Sequence, residues 1–240
     1  MTLGTPRKLD ATSLLQLAES ACRLSIAQWS IALLQEAFPS VALETLMALP
    51  VGSRDRLALA IRARLLPPVL RSEPTCGSCE ATYELSLDPA TLGLAGDADW
   101  PDPRCRKVCL DDRELEVRPV NLGDLLAVES VAEPDQAIQM LALRVAGEPI
   151  APPSLDALDQ ALTALDPCAD IWLESTCPEC GATHSLAFEP VHFLAHELQQ
   201  LARQILADVV VIARVFHWSE ADILALPNQR RAYYVAEALA

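Results

Sequence analysis

Apolar residues in the first 71 positions recur at steps of three and four. Leu14, Leu15, Leu17, Ala18 and Ala21 form one stripe, and Ile26, Trp29, Leu33 and Leu34 a second, the spacing of helices that bury one face. Pro39 interrupts the pattern. A third stretch, Asp55 to Leu66, follows Ser53, whose hydroxyl suits an N-cap, and Pro67-Pro68 ends it. The period then shortens to two. In PTCGSCEATYELSL (74–87) a Gly-containing turn precedes alternating Tyr83, Leu85 and Leu87, which predicts a knuckle leading into a strand. Pro89, Gly93, Gly96, Pro101 and Pro103 make 88–104 a loop or linker, and RELEVRPV (113–120) alternates like a half-buried strand. Helices are predicted over 122–130 and 134–146. After the break at Pro149, Pro152 and Pro153, another starts at Ser154 with Asp156 in its first turn.

The chain then repeats itself. TCGSCEATYELSL (75–87) aligns without gaps to TCPECGATHSLAF (176–188) at an offset of 101, and Thr, Cys, Cys, Ala, Thr and Leu recur at matching places. The repetition predicts a duplicated hairpin whose halves lie side by side in one small sheet around a pseudo-two-fold axis. The segment between them must leave and return, so it should form a helical lobe of its own. A long helix from Pro190 to Phe216 follows, with Leu194, Leu198, Leu201, Ile205, Val209, Ile212 and Phe216 as its stripe. Residues 209–212 are apolar all round, which calls for enclosure by other elements or a partner. Ser219 and Asp222 make a capping-box-like start, flanked by Trp218 and Ile223 at the staple positions, and QRRAYYVAEAL forms the last helix. The expected fold is mainly α with a small β element, an α+β chain. Its segments are a helical region at 1–71, the duplicated hairpins with their lobe at 72–189, and the long helix with a helical tail at 190–240.

With 240 residues, 51% of them hydrophobic, and only 8 Gly, the chain is long enough for one or two domains with a true core, and disorder or a collagen-like repeat is excluded. No apolar run reaches the roughly 18 residues of a membrane span, and the first residues turn polar before a signal-like stretch develops, so a soluble protein made in the cytoplasm is expected. The net charge of −15 is unevenly spread: residues 1–71 carry 8 Lys and Arg against 5 Asp and Glu, the remainder 10 against 28. Such an acidic body does not suit nucleic acid, which needs clustered cations. Arg230 and Arg231 alone do not turn the C-terminal helices into a DNA reader.

Eight cysteines remain to be placed. Without signs of export, two CxxC pairs read as ligands rather than disulfides. Cys76, Cys79, Cys177 and Cys180 would supply four thiolates to one tetrahedral Zn²⁺, and the duplicated hairpins would bridge the 97 residues between Cys79 and Cys177. Together they would make a zinc-ribbon-like knuckle. A rival set is Cys177, Cys180, His192 and His196, one residue short of the usual finger spacing, which would leave Cys76 and Cys79 without a role. Cys22, Cys105, Cys109 and Cys168 read as small core hydrophobes, with Cys105 and Cys109 as a lesser candidate for a second ligand pair. Four thiolates leave no open position on the metal, so the zinc would be structural. With no triad, phosphate-cradling loop or paired acid and base in view, neither an enzyme nor a small-molecule substrate is expected.

Residues 166–239 carry a CPxCG knuckle, a long helix running into a Trp-Ser-Glu cap, and an ILALP…RR..Y ending. On these features the segment resembles the C-terminal half of a baseplate protein family of contractile-tailed phages and related phage-tail-like injection systems, similar to the T-even-type hub-assembly proteins. Residues 48–92 are similar to the N-terminal half seen in injection-system members. One departure is Phe216-His217, where the family has an aromatic residue followed by Gly. The resemblance implies a structural or assembly role without catalysis and with other baseplate proteins (hub, spike or wedge components) as partners. It leaves open a transient chaperone, present in the cytoplasm during assembly, or a component of the finished particle. The runner-up is a zinc-ribbon adaptor of another cytoplasmic complex. Partner contacts are expected through Val209, Ile212, Trp218, Ile223, Leu226, Tyr233 and Tyr234, because the helix and tail offer more apolar surface than a chain of this size can cover.

Overall fold

The computed structural model describes residues 3–90, 105–110 and 113–239; most of the loop expected over 88–104 lies outside them. The helical start is as the periodicity predicts. Helix α1 (Ala11–Ser20) is capped by the Asp10 carboxylate, which accepts from Ser13 N–H at 2.8 Å, and α2 (Ile26–Ala37) by Ser25, which accepts from Gln28 N–H at 3.2 Å. Between them Trp29 is 1% exposed and donates its indole N–H to the Leu17 carbonyl at 2.9 Å, so its one polar atom is satisfied inside the core. A short helix α3 (Leu43–Met47) precedes α4 (Val51–Ala63).

The start of α4 corrects the expected N-cap. Pro50 holds the cap position, Ser53 lies inside the helix, and no side chain of the segment itself caps it. The orphan Gly52 N–H is instead met by Asp166, 114 residues later, at 2.8 Å.

Two hairpins stand on this helical base. Strands β1 (Leu70–Ser72) and β2 (Leu85–Leu87) form one. The intervening lobe holds the hairpin β3 (Arg106–Leu110) and β4 (Arg113–Val117), then α5 (Leu122–Val128), α6 (Pro134–Ala146) and α7 (Leu155–Leu165). Strands β5 (Ile171–Thr176) and β6 (Thr183–Phe188) form the last hairpin. Among the described residues the single shared sheet expected for the repeats is not formed: each of the three hairpins there is its own two-stranded antiparallel sheet. The two copies nonetheless keep one register. Leu70 pairs with Leu87 and Thr75 with Thr82, just as Ile171 pairs with Phe188 and Thr176 with Thr183, 101 residues on. The first copy has a shorter ladder because Pro74, where the second has Ser175, has no N–H to give.

One core draws on α1 to α5 and on the first half of α8 (Pro190–Phe216), through Val191, Leu194, Ala195, Leu198, Ala202 and Ile205. The lobe has a separate core of Leu110, Val117, Ala142, Val145, Ile150 and Leu158. Asp124 of α5 ties the lobe together: it is wholly buried and accepts from Arg118 at 2.5 Å, Arg144 at 2.7 Å and the Asn121 N–H at 3.0 Å. Burial opposes ionisation of this carboxyl, but Arg118, the Asn121 N–H and Arg144 together hold it below the ordinary carboxylate value. The hairpin roots meet at Leu59, Leu70 and Phe188, with Ile171 and Phe193 beside them. Arg62 of α4 closes this junction: Nε and Nη2 each lie 2.7 Å from a Glu197 oxygen on α8, and Nη1 reaches the Pro67 carbonyl at 2.6 Å. The chain ends with α9 (Glu220–Leu224) and α10 (Asn228–Leu239), which fold back on α8. Among the described residues no helix is long and apolar enough to cross a membrane.

Candidate metal centre

Each CxxC segment folds into the same turn. In the first, Cys76 N–H donates to the Ala81 carbonyl at 2.8 Å and Glu80 N–H to the Cys76 carbonyl at 2.9 Å. In the second, Cys177 N–H donates to Ala182 at 2.9 Å and Gly181 N–H to Cys177 at 3.0 Å. The fifth residue of both turns takes a left-handed conformation, Glu80 at φ 59 and Gly181 at φ 74. Gly adopts it without a Cβ penalty, whereas Glu80 does so at some cost.

The two turns face each other and their four sulfurs converge. The Sγ atoms of Cys76, Cys79, Cys177 and Cys180 all lie within 4.8 Å of one another. Cys76 and Cys180 are 3.6 Å apart, and Cys79 and Cys177 3.8 Å. These separations are far beyond a disulfide, about 2.05 Å, and all four cysteines are free. They match the edge of a tetrahedron of sulfurs, about 3.8 Å when each stands about 2.3 Å from a central zinc. Cys76 and Cys177 are buried inward, each 1% exposed, and Cys79 and Cys180 face solvent.

The electrostatics also fit a cation. The Ser78 N–H, 3.4 Å from Cys76 Sγ, is the main cause that brings this thiol down to about 5 against the opposing effect of burial, with help from the Cys79 N–H and His184. Cys79 moves the other way. The Ala81 N–H favours its thiolate, but the Cys180, Cys76 and Cys177 sulfurs and burial outweigh it and push the thiol up to about 12. Four sulfurs this close cannot all be anionic unless a cation sits among them. The donor set therefore suits a thiophilic ion such as Zn²⁺, held by these four side chains.

The structure also places the other candidates. His192 pairs with Glu189, and His196 Nδ1 lies 3.5 Å from Gln200 Nε2, both on α8. They line a cleft of about 230 Å³ with Ala21, Leu24, Ile26 and Trp29, so the finger-like set with Cys177 and Cys180 is not assembled. Cys22, Cys105 and Cys109 are exposed rather than core, and Cys168 is half-buried. Cys109 lies on an outward position of β3, and among the described residues Cys105 and Cys109 join no ligand cluster.

Of the expected partner residues, Val209, Ile212 and Ile223 are buried against each other, with Phe216, Leu224 and Tyr234 around them. They are the core of the α8–α10 tail, covered by the chain's own last helices. Leu226 and Tyr234 are half-buried, while Trp218 is 36% and Tyr233 59% exposed. The aromatic side chains stack edge to face, with Trp218 and Tyr234 centroids 4.8 Å apart.

One residue of the site was not anticipated. His184 Nε2 lies 3.1 Å from Cys76 Sγ. The repeat alignment carries a signal for it, since His184 occupies the position of Tyr83, but the alignment alone does not show that the ring reaches the opposite turn. Comparison of the chain with protein-family models, with curated proteins and with solved structures returns no match.

Proposed function

We propose that the chain is a zinc-clamped, non-enzymatic structural or assembly protein of a phage-like contractile tail or injection-system baseplate, acting through contacts with other baseplate proteins. The observation that carries the first half is the convergence of four sulfurs from two CxxC turns, at separations suited to one tetrahedral ion. In this reading the paired turns form a zinc-ribbon-like knuckle. Four protein thiolates fill the coordination sphere and leave no place for a substrate or an activated water, so the metal serves the fold. It ties the two ends of the inserted lobe to each other above the base of α4 and α8. The baseplate assignment is supported by the resemblance of residues 166–239 and 48–92 to that family. Exposed Trp218 and Tyr233 on the tail are suited to a protein interface.

Two measurements test the halves separately. Purified wild type should hold about one zinc per chain, Cys79→Ser should lose it, and His192→Ala should keep it. In the producing organism, Trp218→Ser together with Tyr233→Ser, at the two exposed aromatic positions of the tail, should abolish contractile particles while the protein stays soluble and zinc-loaded. Particles assembled at wild-type yield by the double variant would reject the tail as the contact surface.

A further inference from the structure

The two repeats carry a different aromatic residue at one position, Tyr83 in the first and His184 in the second, 101 residues apart. Each reaches across to the opposite hairpin. Tyr83 is buried and its hydroxyl lies 3.0 Å from Ser175 Oγ, beside Cys76 and Cys177. The ring of His184 is half-buried and covers the first turn: a Cβ added at Gly77 would meet its Cε1 at 3.9 Å. Its Nε2 stands 3.1 Å from the buried Cys76 sulfur. Matching positions thus make a hairpin-to-hairpin contact on one side and a contact to a ligand sulfur on the other.

We propose that His184 is a positioning residue of the metal centre, donating its Nε2–H from the second repeat to the metal-bound sulfur of Cys76 in the first. This rests on the zinc reading above. A thiolate bound to a metal accepts hydrogen bonds and cannot donate, so the ring nitrogen facing it carries a proton. With the Ser78 N–H at 3.4 Å and the Cys79 N–H, His184 then adds a side-chain donor to two backbone donors on the Cys76 sulfur. Four thiolates and one Zn²⁺ carry a net charge of about −2, within a chain whose net charge is already −15. Hydrogen bonds to a ligand sulfur draw off part of that negative charge and fix its direction, as outer partners of metal ligands generally do. Cys76 becomes the anchored ligand, and the exposed Cys79 and Cys180 form the side from which the ion exchanges.

Zinc affinity by chelator competition and the cobalt-substituted absorption spectrum, measured on the full chain, test this. His184→Phe keeps a ring over Gly77 without an N–H, and His184→Gln keeps an N–H at similar reach. His184→Phe should bind zinc on the order of tenfold more weakly. Its sulfur-to-cobalt charge-transfer band should move to lower energy, because an unbonded sulfur gives up its electrons more readily. His184→Gln should recover most of both, and His184→Ala should follow Phe if bulk is not the cause. Wild-type affinity and band energy in both Phe and Ala overturn the proposal and leave the four-cysteine centre standing. A wild-type cobalt spectrum with nitrogen among the ligands, lost in His184→Phe, overturns it by making His184 a ligand. A wild-type chain that binds neither ion overturns the centre and the proposal together.

Discussion

Gly52 donates its backbone N–H to Asp166 Oδ2 at 2.8 Å, so the N-terminus of α4 is capped from the far end of the lobe. The approach is so close that a Cβ at Gly52 would lie 2.0 Å from Asp166 Oδ1 and 2.8 Å from Cys168 Cβ. The carboxyl sits where the helix dipole favours negative charge, while burial raises its pKa against the Gly52 N–H. Asp166 also stands five residues before β5, so the same contact sets where the second hairpin rises from the base.

Gly52→Ala therefore has to displace the whole 166–168 turn. It should cost about 1–3 kcal/mol, the range of overpacked sites, and Asp166→Ala about 0.5–2 kcal/mol as a lost cap. Urea unfolding of both variants checks this, and the double variant should fall short of the sum because the two positions share one contact.

Metal removal should spare the helical base and loosen the hairpins. None of the four ligands belongs to the core built by α1 to α5 and α8, so chelation should leave most helical circular dichroism in place. It should lower the unfolding temperature and expose the hairpins to protease. At free zinc 1,000 times its Kd, the stabilisation lost is about 4 kcal/mol. Complete loss of helix on chelation would show that the base cannot stand without the clamp.

Stability should fall as pH rises from about 4 to about 6, through Asp55. Burial pushes this carboxyl up to about 6, Arg54 opposes the shift, and Asp166 and Glu189 add to it. The folded chain thus binds the proton more tightly than the unfolded one. Asp55 contributes most below its unfolded value of 3.8, and the contribution is lost as pH passes the folded value. Asp55→Asn should flatten this limb by on the order of 2–3 kcal/mol. The variant also leaves the buried Arg54 without its carboxylate, a pH-independent cost that lowers the whole curve. Denaturant midpoints of both proteins at pH 4, 5, 6 and 7 separate the two effects.

Two left-handed residues should tolerate Gly. His217 ends α8 at φ 57, with its N–H on the Ala213 carbonyl at 3.0 Å. Helices commonly end on a left-handed residue of this kind, and Gly is the residue that adopts it without a Cβ penalty. His217→Gly and Glu80→Gly should each raise stability by up to about 1 kcal/mol, read as a higher thermal midpoint. A fall in either case would mean that the side chain makes a contact outweighing its backbone cost.

Arg62 should be among the most sensitive charged positions. It is 3% exposed and holds Glu197 together with the carbonyls that lead into β1. Arg62→Ala should cost about 3–5 kcal/mol, because the Glu197 carboxylate then loses its partner at a partly buried position. In Arg62→Met with Glu197→Leu, an apolar pair of similar bulk should restore part of the loss.

Local pattern carried much of the outline. The stripes at 14–21 and 26–34, the prolines at 149, 152 and 153, and the long run from Pro190 to Phe216 mark helices and breaks that the chain adopts. These depend on residues a few positions apart, where side-chain spacing alone decides which face is apolar. The matching TCxxCxAT segments made the four cysteines legible as a set, since equal sequences fold into equal turns and a tetrahedral thiophilic ion needs two such turns.

What covers each apolar face was decided only by tertiary structure. Periodicity shows that Val209 and Ile212 are apolar, but not that Ile223 and Tyr234 fold back over them, and their burial removes them as free contact surface. The α4 cap comes from Asp166 because Pro50 and Gly52 leave the helix start without a local partner, and no spacing rule reaches across 114 residues. The repeats pair through sulfurs and through Tyr83 and His184 rather than through one sheet, and Pro74 shortens the first ladder. The sequence by itself determined most of the helices and the set of four cysteines, which depend on neighbours along the chain. It did not determine the short α3 or the strands β1 and β3, whose few residues carry no readable period. The packing of the base, the direction of each hairpin and the reach of His184 to Cys76 arise from contacts between distant segments, which exist only once the chain has closed on itself.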